Sequence, residues 1–220
     1  MDVSIVIPTY NRKKFSDLIS LNIKLQTYPF IKEIIIADDG EESERLTLDV
    51  PYTILYYRVP RMTIGAKRNF LIEKASAHYV ANFDTDDFYN PDYLSTSIFN
   101  LIRSGKTISG SADMIIMENM RTFKQRCIYL DLLNEATIVC TKKYATEHKY
   151  SNSMSTEGKG FVDGCLNEIF ETKIEDIMVC LAHDANTVPK TDWLVDKYRE
   201  KIDMKKYNPH IAVLLKIISR

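Results

Sequence analysis

What this chain lacks excludes more than its length does. Its four cysteines, Cys127, Cys140, Cys165 and Cys180, are widely spaced and include no C-x-x-C pair. They read as free thiols in a reducing compartment, each a small core residue before it is a ligand. An excess of one charge is missing too: 29 Lys and Arg against 30 Asp and Glu give a net charge of −1. A general electrostatic attraction to nucleic acid or a bilayer is therefore absent, and any anion site must be built locally. No stretch approaches the ~18 apolar residues of a membrane span. The start, residues 1–8, has no basic segment and too short an apolar run for a secretory signal. A soluble, cytoplasmic protein is the expectation. Glycine is scarce at seven residues, while Ile, Lys, Tyr and Asn are plentiful. That bias bears on the gene's base composition rather than on chemistry. Repeats, low-complexity tracts and flexible linkers are not evident. What remains is 220 residues, 45% of them hydrophobic. That supports one large domain or two small ones with an ample core.

The first half alternates buried strands with helices. Residues 3–7 form a nearly continuous β-branched run, as in a strand covered on both faces, and Pro8 stops it. Asn11 is placed to cap a helix in which Phe15, Leu18, Ile19, Asn22 and Ile23 recur at helical spacing. Residues 34–37 are a second buried strand ending in Asp38-Asp39-Gly40, and 52–57 are a third. A helix over 65–75 turns Ala66, Phe70, Leu71 and Ile72 inward and carries Lys67, Arg68 and Asn69 in its first turn. Those cations either meet a phosphate at the helix N-terminus or are ordinary solvated charges. A strand over 78–83 follows, then a helix over 91–104 with Asn90 as N-cap, Pro91 at N1 and Gly105 at C′.

The second half is less regular. Strands are expected over 107–117 and 123–130, with a hairpin across Asn119 and Met120, and again over 137–141. Residues 152–160 read as a loop, 161–169 as a helix, 176–182 as a strand and 192–206 as a charged helix. An apolar stretch, 211–218, closes the chain. It packs on its own domain, forms a homodimer contact or touches a membrane face.

Alternation of this kind makes an α/β protein with a mainly parallel sheet covered by helices. In such a sheet the strand ends share one edge. Thr9-Tyr10-Asn11-Arg12, Asp38-Asp39 and Asp84-Thr85-Asp86-Asp87 therefore converge on one crevice, the default ligand site. Three carboxylates within four residues repel one another, and a cation would remove that conflict. A solvated acidic turn is the alternative.

Four runs resemble the successive signatures of family 2 glycosyltransferases of GT-A fold. They are 3–12 (Val-Ser-Ile-Val-Ile-Pro-Thr-Tyr-Asn-Arg), 35–40 (Ile-Ile-Ala-Asp-Asp-Gly), 65–69 (Gly-Ala-Lys-Arg-Asn) and 83–87 (Phe-Asp-Thr-Asp-Asp). The resemblance covers residues 1 to about 105. Beyond it, residues 156–161 resemble the loop that carries the catalytic acidic pair, with Thr156 where many relatives have the first acidic residue. His183-Asp184-Ala185-Asn186-Thr187 resembles the H-x-x-N-T that closes the site.

The resemblance implies a single GT-A domain over 1–220: a Rossmann-like, mainly parallel sheet with a smaller antiparallel element in the second half. Residues 1–105 would hold the nucleotide sugar, 106–190 the acceptor and catalytic groups, and 191–220 a helical tail. It implies metal-dependent, inverting transfer of a hexose from a UDP-sugar to a glycan or protein hydroxyl. Carried over, Thr9, Tyr10 and Arg12 line the base and ribose, and Asp38, less surely Asp39, accepts from the base. Lys67 and Arg68 lie near the base or diphosphate, and Asp84 meets the ribose or the metal shell. Asp86 and His183 ligate Mn²⁺ or Mg²⁺, and Asp87 contacts metal, sugar or backbone. Glu157 is the general base, with Asp163 as its rival. Oxygen ligands with one imidazole suit those metals and not a thiolate zinc site. Two alternatives stand beside this reading: a module that binds nucleotide sugars without turnover, and a sugar-nucleotide nucleotidyltransferase. The second needs a glycine-rich basic phosphate loop, which residues 8–12 do not supply.

Overall fold

The computed structural model describes residues 1–118, 121–126, 133–184, 186 and 200–202. The main sheet begins with β1 (Val3–Thr9), followed by α1 (Ser16–Lys24), β2 (Ile31–Asp38), β3 (Thr53–Arg58), α2 (Ile64–Lys74) and β4 (Tyr79–Asn82). β1 pairs in parallel with β2 and with β4, and β2 in parallel with β3. Then come β5 (Phe88–Tyr89), α3 (Tyr93–Ser104), β6 (Ile108–Gly110), β7 (Asp113–Glu118), β8 (Arg121–Arg126) and β9 (Val139–Thr141). The described part ends with α4 (Lys142–Glu147), α5 (Lys159–Val162), β10 (Ile169–Glu171), β11 (Met178–Leu181) and β12 (Glu200–Ile202). The large sheet has the order β10-β6-β9-β4-β1-β2-β3, antiparallel only where β9 lies between β4 and β6. The smaller sheet, β12-β8-β7-β11-β5, is mostly antiparallel.

Alternate residues of the buried strands enter different cores. Ile5, Ile7, Ile34, Ile36, Tyr79, Ala81 and Phe83 pack on one face with α1 and α3. Val6, Ile35, Ala37 and Val80 pack on the other with Leu71 and Ile72 of α2. The period-2 side-chain alternation of a strand thus sorts one apolar run into two cores.

Several local expectations change. Asn11 does not cap α1; its backbone is left-handed (φ 51°) and its Oδ1 accepts from the Glu41 N–H at 2.7 Å. α3 starts at Tyr93, because Asn90-Pro91-Asp92 turns on itself, with the Asp92 N–H donating to Asn90 Oδ1. Gly105 ends that helix with φ 69°, in the left-handed role expected of it. The run 107–117 is two strands in two sheets. The chain changes sheets at Ser111–Ala112, where Thr137 and Asn134 take over the Ser111 backbone bonds. The helix expected over 161–169 stops after one turn, α5, and Gly164 takes φ 75° before β10. Residues 200–202 are a strand on the β8 edge, not helix. The strand reading at 127–130, the hairpin tip at Asn119 and Met120, and the apolar tail at 211–218 with its dimer contact lie outside the described residues. No described helix is long and apolar enough to cross a membrane.

Candidate active site

Parallel pairing brings the carboxyl ends of β1, β2 and β4 to one edge. The Lys67 ammonium, on the buried face of α2, joins two of them. Its Nζ donates to the Thr9 carbonyl at 2.8 Å and to Asp39 Oδ1 at 2.5 Å. Burial lowers the Lys67 pKa, and the Asp39 charge works against that fall. Arg61 adds a second cation to Asp39 at 3.3 Å and lays its guanidinium 3.6 Å from the centre of the exposed Tyr10 ring. Arg61 carries no motif signal. Asp38 is buried and held by Arg58 at 2.7 Å, by the Tyr56 hydroxyl at 2.5 Å and by the Gly40 N–H at 2.8 Å. Burial, then the bond to Asp38, pushes the Tyr56 phenol up, so it stays a donor.

Arg68 is the centre of a second knot. It is 1% exposed, which overturns the solvated-charge alternative for both α2 cations. Its Nε donates to Glu157 Oε1 at 3.1 Å and its Nη2 to Asp84 Oδ1 at 3.0 Å. Burial disfavours its charge, but the Asp84 and Glu157 carboxylates outweigh that and raise its pKa. Nη1 is buried without a hydrogen bond. The inward set expected for α2 also changes: Lys67 and Arg68 are buried beside Leu71 and Ile72, while Ala66 and Phe70 are half-exposed. Glu157 is 5% exposed. Beside it stands Glu135, which no sequence motif marked. It keeps intermediate exposure, and its Oε1 accepts from the Gly158 N–H at 2.9 Å. Burial and the neighbouring Glu157 charge push the Glu135 carboxyl up to about 7. Asp163 is exposed beyond α5, and its side chain makes no hydrogen bond to this group.

The third group is more open. His183 Nε2 lies 3.1 Å from Asp86 Oδ2, with Arg12 at 3.6 Å and the Asn186 amide at 3.5 Å. Asn186 also accepts from the His183 N–H and contacts its Nε2, so it fixes the loop and the ring. The Phe15 ring packs 4.9 Å from the imidazole. Two ligands at about 2.1 Å from an octahedral ion, at right angles, sit about 3 Å apart. The Asp86–His183 pair has that spacing and the oxygen–nitrogen character that Mn²⁺ accepts. Asp87 turns away: its Oδ1 accepts from the Leu181 N–H at 3.1 Å, and its carbonyl accepts from Asn22. It ties the loop after β4 to β11 and α1. A separate cluster, His148, Cys165 and Glu168, stands near Thr107 at the start of β6, on the opposite sheet edge.

Comparison with known proteins gives this edge its context. The model of glycosyl transferase family 2 matches residues 4–156. The chain belongs to that family. A glycosyltransferase of Streptococcus pneumoniae, GlyA, is 27% identical over 99 residues, 43% of this chain and 14% of that protein. An uncharacterised glycosyltransferase of Rickettsia conorii is 30% identical over 112 residues, 48% of this chain and 18% of that protein. The chain thus spans less than a fifth of these relatives. Among solved structures, S. aureus TarS 1-349 in complex with UDP-GlcNAc has a TM-score of 0.65 at 15% identity, over 84% of this chain and 60% of that one. The mannosyltransferase PcManGT of Pyrobaculum calidifontis, in complex with GDP-Man and Mn²⁺, has a TM-score of 0.63 at 11% identity, over 84% and 58%. At such identities the likeness concerns the fold, and the family's GT-A architecture is the one described above.

Proposed function

We propose that this domain transfers a hexose from a UDP-sugar to an acceptor hydroxyl of a glycan or protein, with inversion and with Mn²⁺ or Mg²⁺. The observation that carries the reading is the Asp86–His183 pair, 3.1 Å apart on the edge where β1, β2 and β4 end. Asp86 and His183 would hold the ion, with Asn186 orienting the imidazole. A metal bound there supplies Lewis-acid neutralisation of the departing diphosphate, worth several kcal/mol. Thr9, Tyr10 and Arg12 line the nucleotide side. Asp38, sealed by Arg58, the Tyr56 hydroxyl and the Gly40 N–H, fixes the β2 end that would floor the base site. Asp39 and Lys67 neutralise each other and fix the β1 and β2 ends beneath the base. Asp84, its other side held by Arg68, faces the ribose. Glu157, the carboxylate expected to act as base, is fixed on Arg68. The structures of TarS with UDP-GlcNAc and UDP, and of PcManGT with GDP-Man and Mn²⁺, support a nucleotide-sugar donor and a divalent ion.

Released UDP tests this. The protein is incubated with Mn²⁺, a panel of UDP-sugars and glycan or peptide acceptors. Turnover of at least one donor, lost on chelation, is expected. No UDP from any donor overturns the reading, and metal-independent turnover removes the ion from it.

A further inference from the structure

The expected base, Glu157, is poorly placed to exchange protons with a substrate. It is 5% exposed, and Oε1 is committed to the Arg68 Nε at 3.1 Å. With that oxygen held by the guanidinium and the side chain closed off from solvent, an acceptor hydroxyl has no open approach to it. The same knot holds a second carboxyl. Glu135 reaches it from the turn before β9, whose backbone is tied to the β4 end: Asn82 Nδ2 donates to the Glu135 carbonyl at 2.6 Å. The Tyr89 hydroxyl bridges the Ala136 carbonyl and the Asp84 N–H. Glu135 is thereby held to the strand end that carries Asp84 and Asp86.

Gly158 makes the space for it. A Cβ at 158 would stand 2.6 Å from Glu135 Oε1 and 2.9 Å from its Cδ, so any side chain there would displace the carboxyl. The Gly158 N–H holds Oε1 at 2.9 Å. The residue keeps intermediate exposure, and the Gly158 contact is to Oε1 rather than Oε2. The charged groups facing it are Glu157 and Arg68, and the titratable phenol of Tyr150, pushed up by burial, stays neutral beside it. Arg68, with Nη1 unpartnered, sits under the two glutamates as a fixed positive charge. Burial first, and the Glu157 charge second, push the Glu135 carboxyl up to about 7, the range a general base needs near neutral pH.

We infer that Glu135 is the proton acceptor of the transfer, and that Glu157 with Arg68 is the pair that positions and tunes it. The inference rests on the transferase reading above. In the step, the acceptor O–H gives its proton to Glu135 Oε2. The freed oxygen pair forms the bond to the anomeric carbon. The bond from that carbon to the diphosphate oxygen breaks, and its electron pair leaves with UDP.

The test measures transfer and UDP affinity in Mn²⁺ for the wild type, Glu135→Gln and Glu157→Gln, from pH 5 to 9. Glu135→Gln should lose transfer by ~10²–10⁴-fold with UDP affinity unchanged. The wild-type rate should rise with pH to a plateau, with a midpoint near 7. In Glu157→Gln a negative neighbour is gone and Arg68 is less neutralised, so the midpoint should move to lower pH. A purely structural role for Glu157 would lower the rate without moving the midpoint. Glu135→Gln that transfers at the wild-type rate overturns the inference. Should that variant not fold, an unmoved midpoint in Glu157→Gln overturns it instead. A wild type that releases UDP from no donor overturns the underlying reading, and this inference with it.

Discussion

Adjacent aspartates stand at the end of β2, Asp38-Asp39, and in the loop after β4, Asp86-Asp87, and the two places are built differently. At β2 the side chains of both carboxylates are essentially sealed, 1% and 0% exposed, against Arg58, Tyr56, Lys67 and Arg61. At the β4 end Asp86 is 15% exposed, and its neighbours are an imidazole, an amide and an arginine, all near the opening. The same residue type thus serves as a bolt where cations enclose it and as a ligand where nitrogen donors and solvent meet it. Burial with compensation fixes backbone; partial exposure keeps a carboxylate within reach of a substrate or ion.

Variants of the groups that hold the carboxylates of this edge test the contrast, a buried cation first. Arg68→Met leaves Asp84 and Glu157 without their buried cation and should cost about 3–5 kcal/mol, read by urea unfolding. A loss below 1 kcal/mol would show that the knot is not structural. Asp87→Ala strands the Leu181 N–H and should cost about 1–3 kcal/mol, while the folded fraction keeps its Mn²⁺-dependent UDP affinity. A selective loss of that affinity would move Asp87 into the ligand set. Tyr56→Phe removes one of three partners of Asp38 and should cost about 1 kcal/mol, with Arg58 retained.

A further effect is one of pH. Glu135 has its folded pKa raised above its unfolded value, so its stabilising contribution is complete below the unfolded pKa. That contribution is lost as pH rises from about 4.5 to about 7, where the folded state must ionise too. Glu135→Gln escapes this loss. Its melting temperature relative to wild type should therefore be higher at pH 8 than at pH 5. An equal difference at both values would mean that Glu135 titrates normally.

Much of this architecture was legible in the chain. The runs at 3–7 and 34–37 announced strands buried on both faces, and their polar ends announced the edge where Asp38, Asp84 and Asp86 meet. Lys67 and Arg68 were placed on the correct helix but their burial was not foreseen, because helical periodicity marks apolar residues and misses cations sealed by carboxylates distant in sequence. Glu135 and Arg61 were invisible for a related reason. Their significance comes from Gly158 and Tyr10, 23 and 51 positions away along the chain, and no local pattern encodes that contact. The strand break at Ser111 was missed because side chains from 134 and 137 decide it.

The difference between the two strand ends is tested most directly by the affinity for UDP, measured by titration calorimetry in Mn²⁺ and again in a chelator, for wild type, Asp86→Ala and Lys67→Met. Wild type should bind UDP tightly in Mn²⁺ only, and Asp86→Ala, with its fold intact, should bind about 100-fold or more weakly. In Lys67→Met the dependence on Mn²⁺ should persist in whatever fraction remains folded. Equal UDP affinity for wild type and Asp86→Ala in Mn²⁺ would contradict that difference.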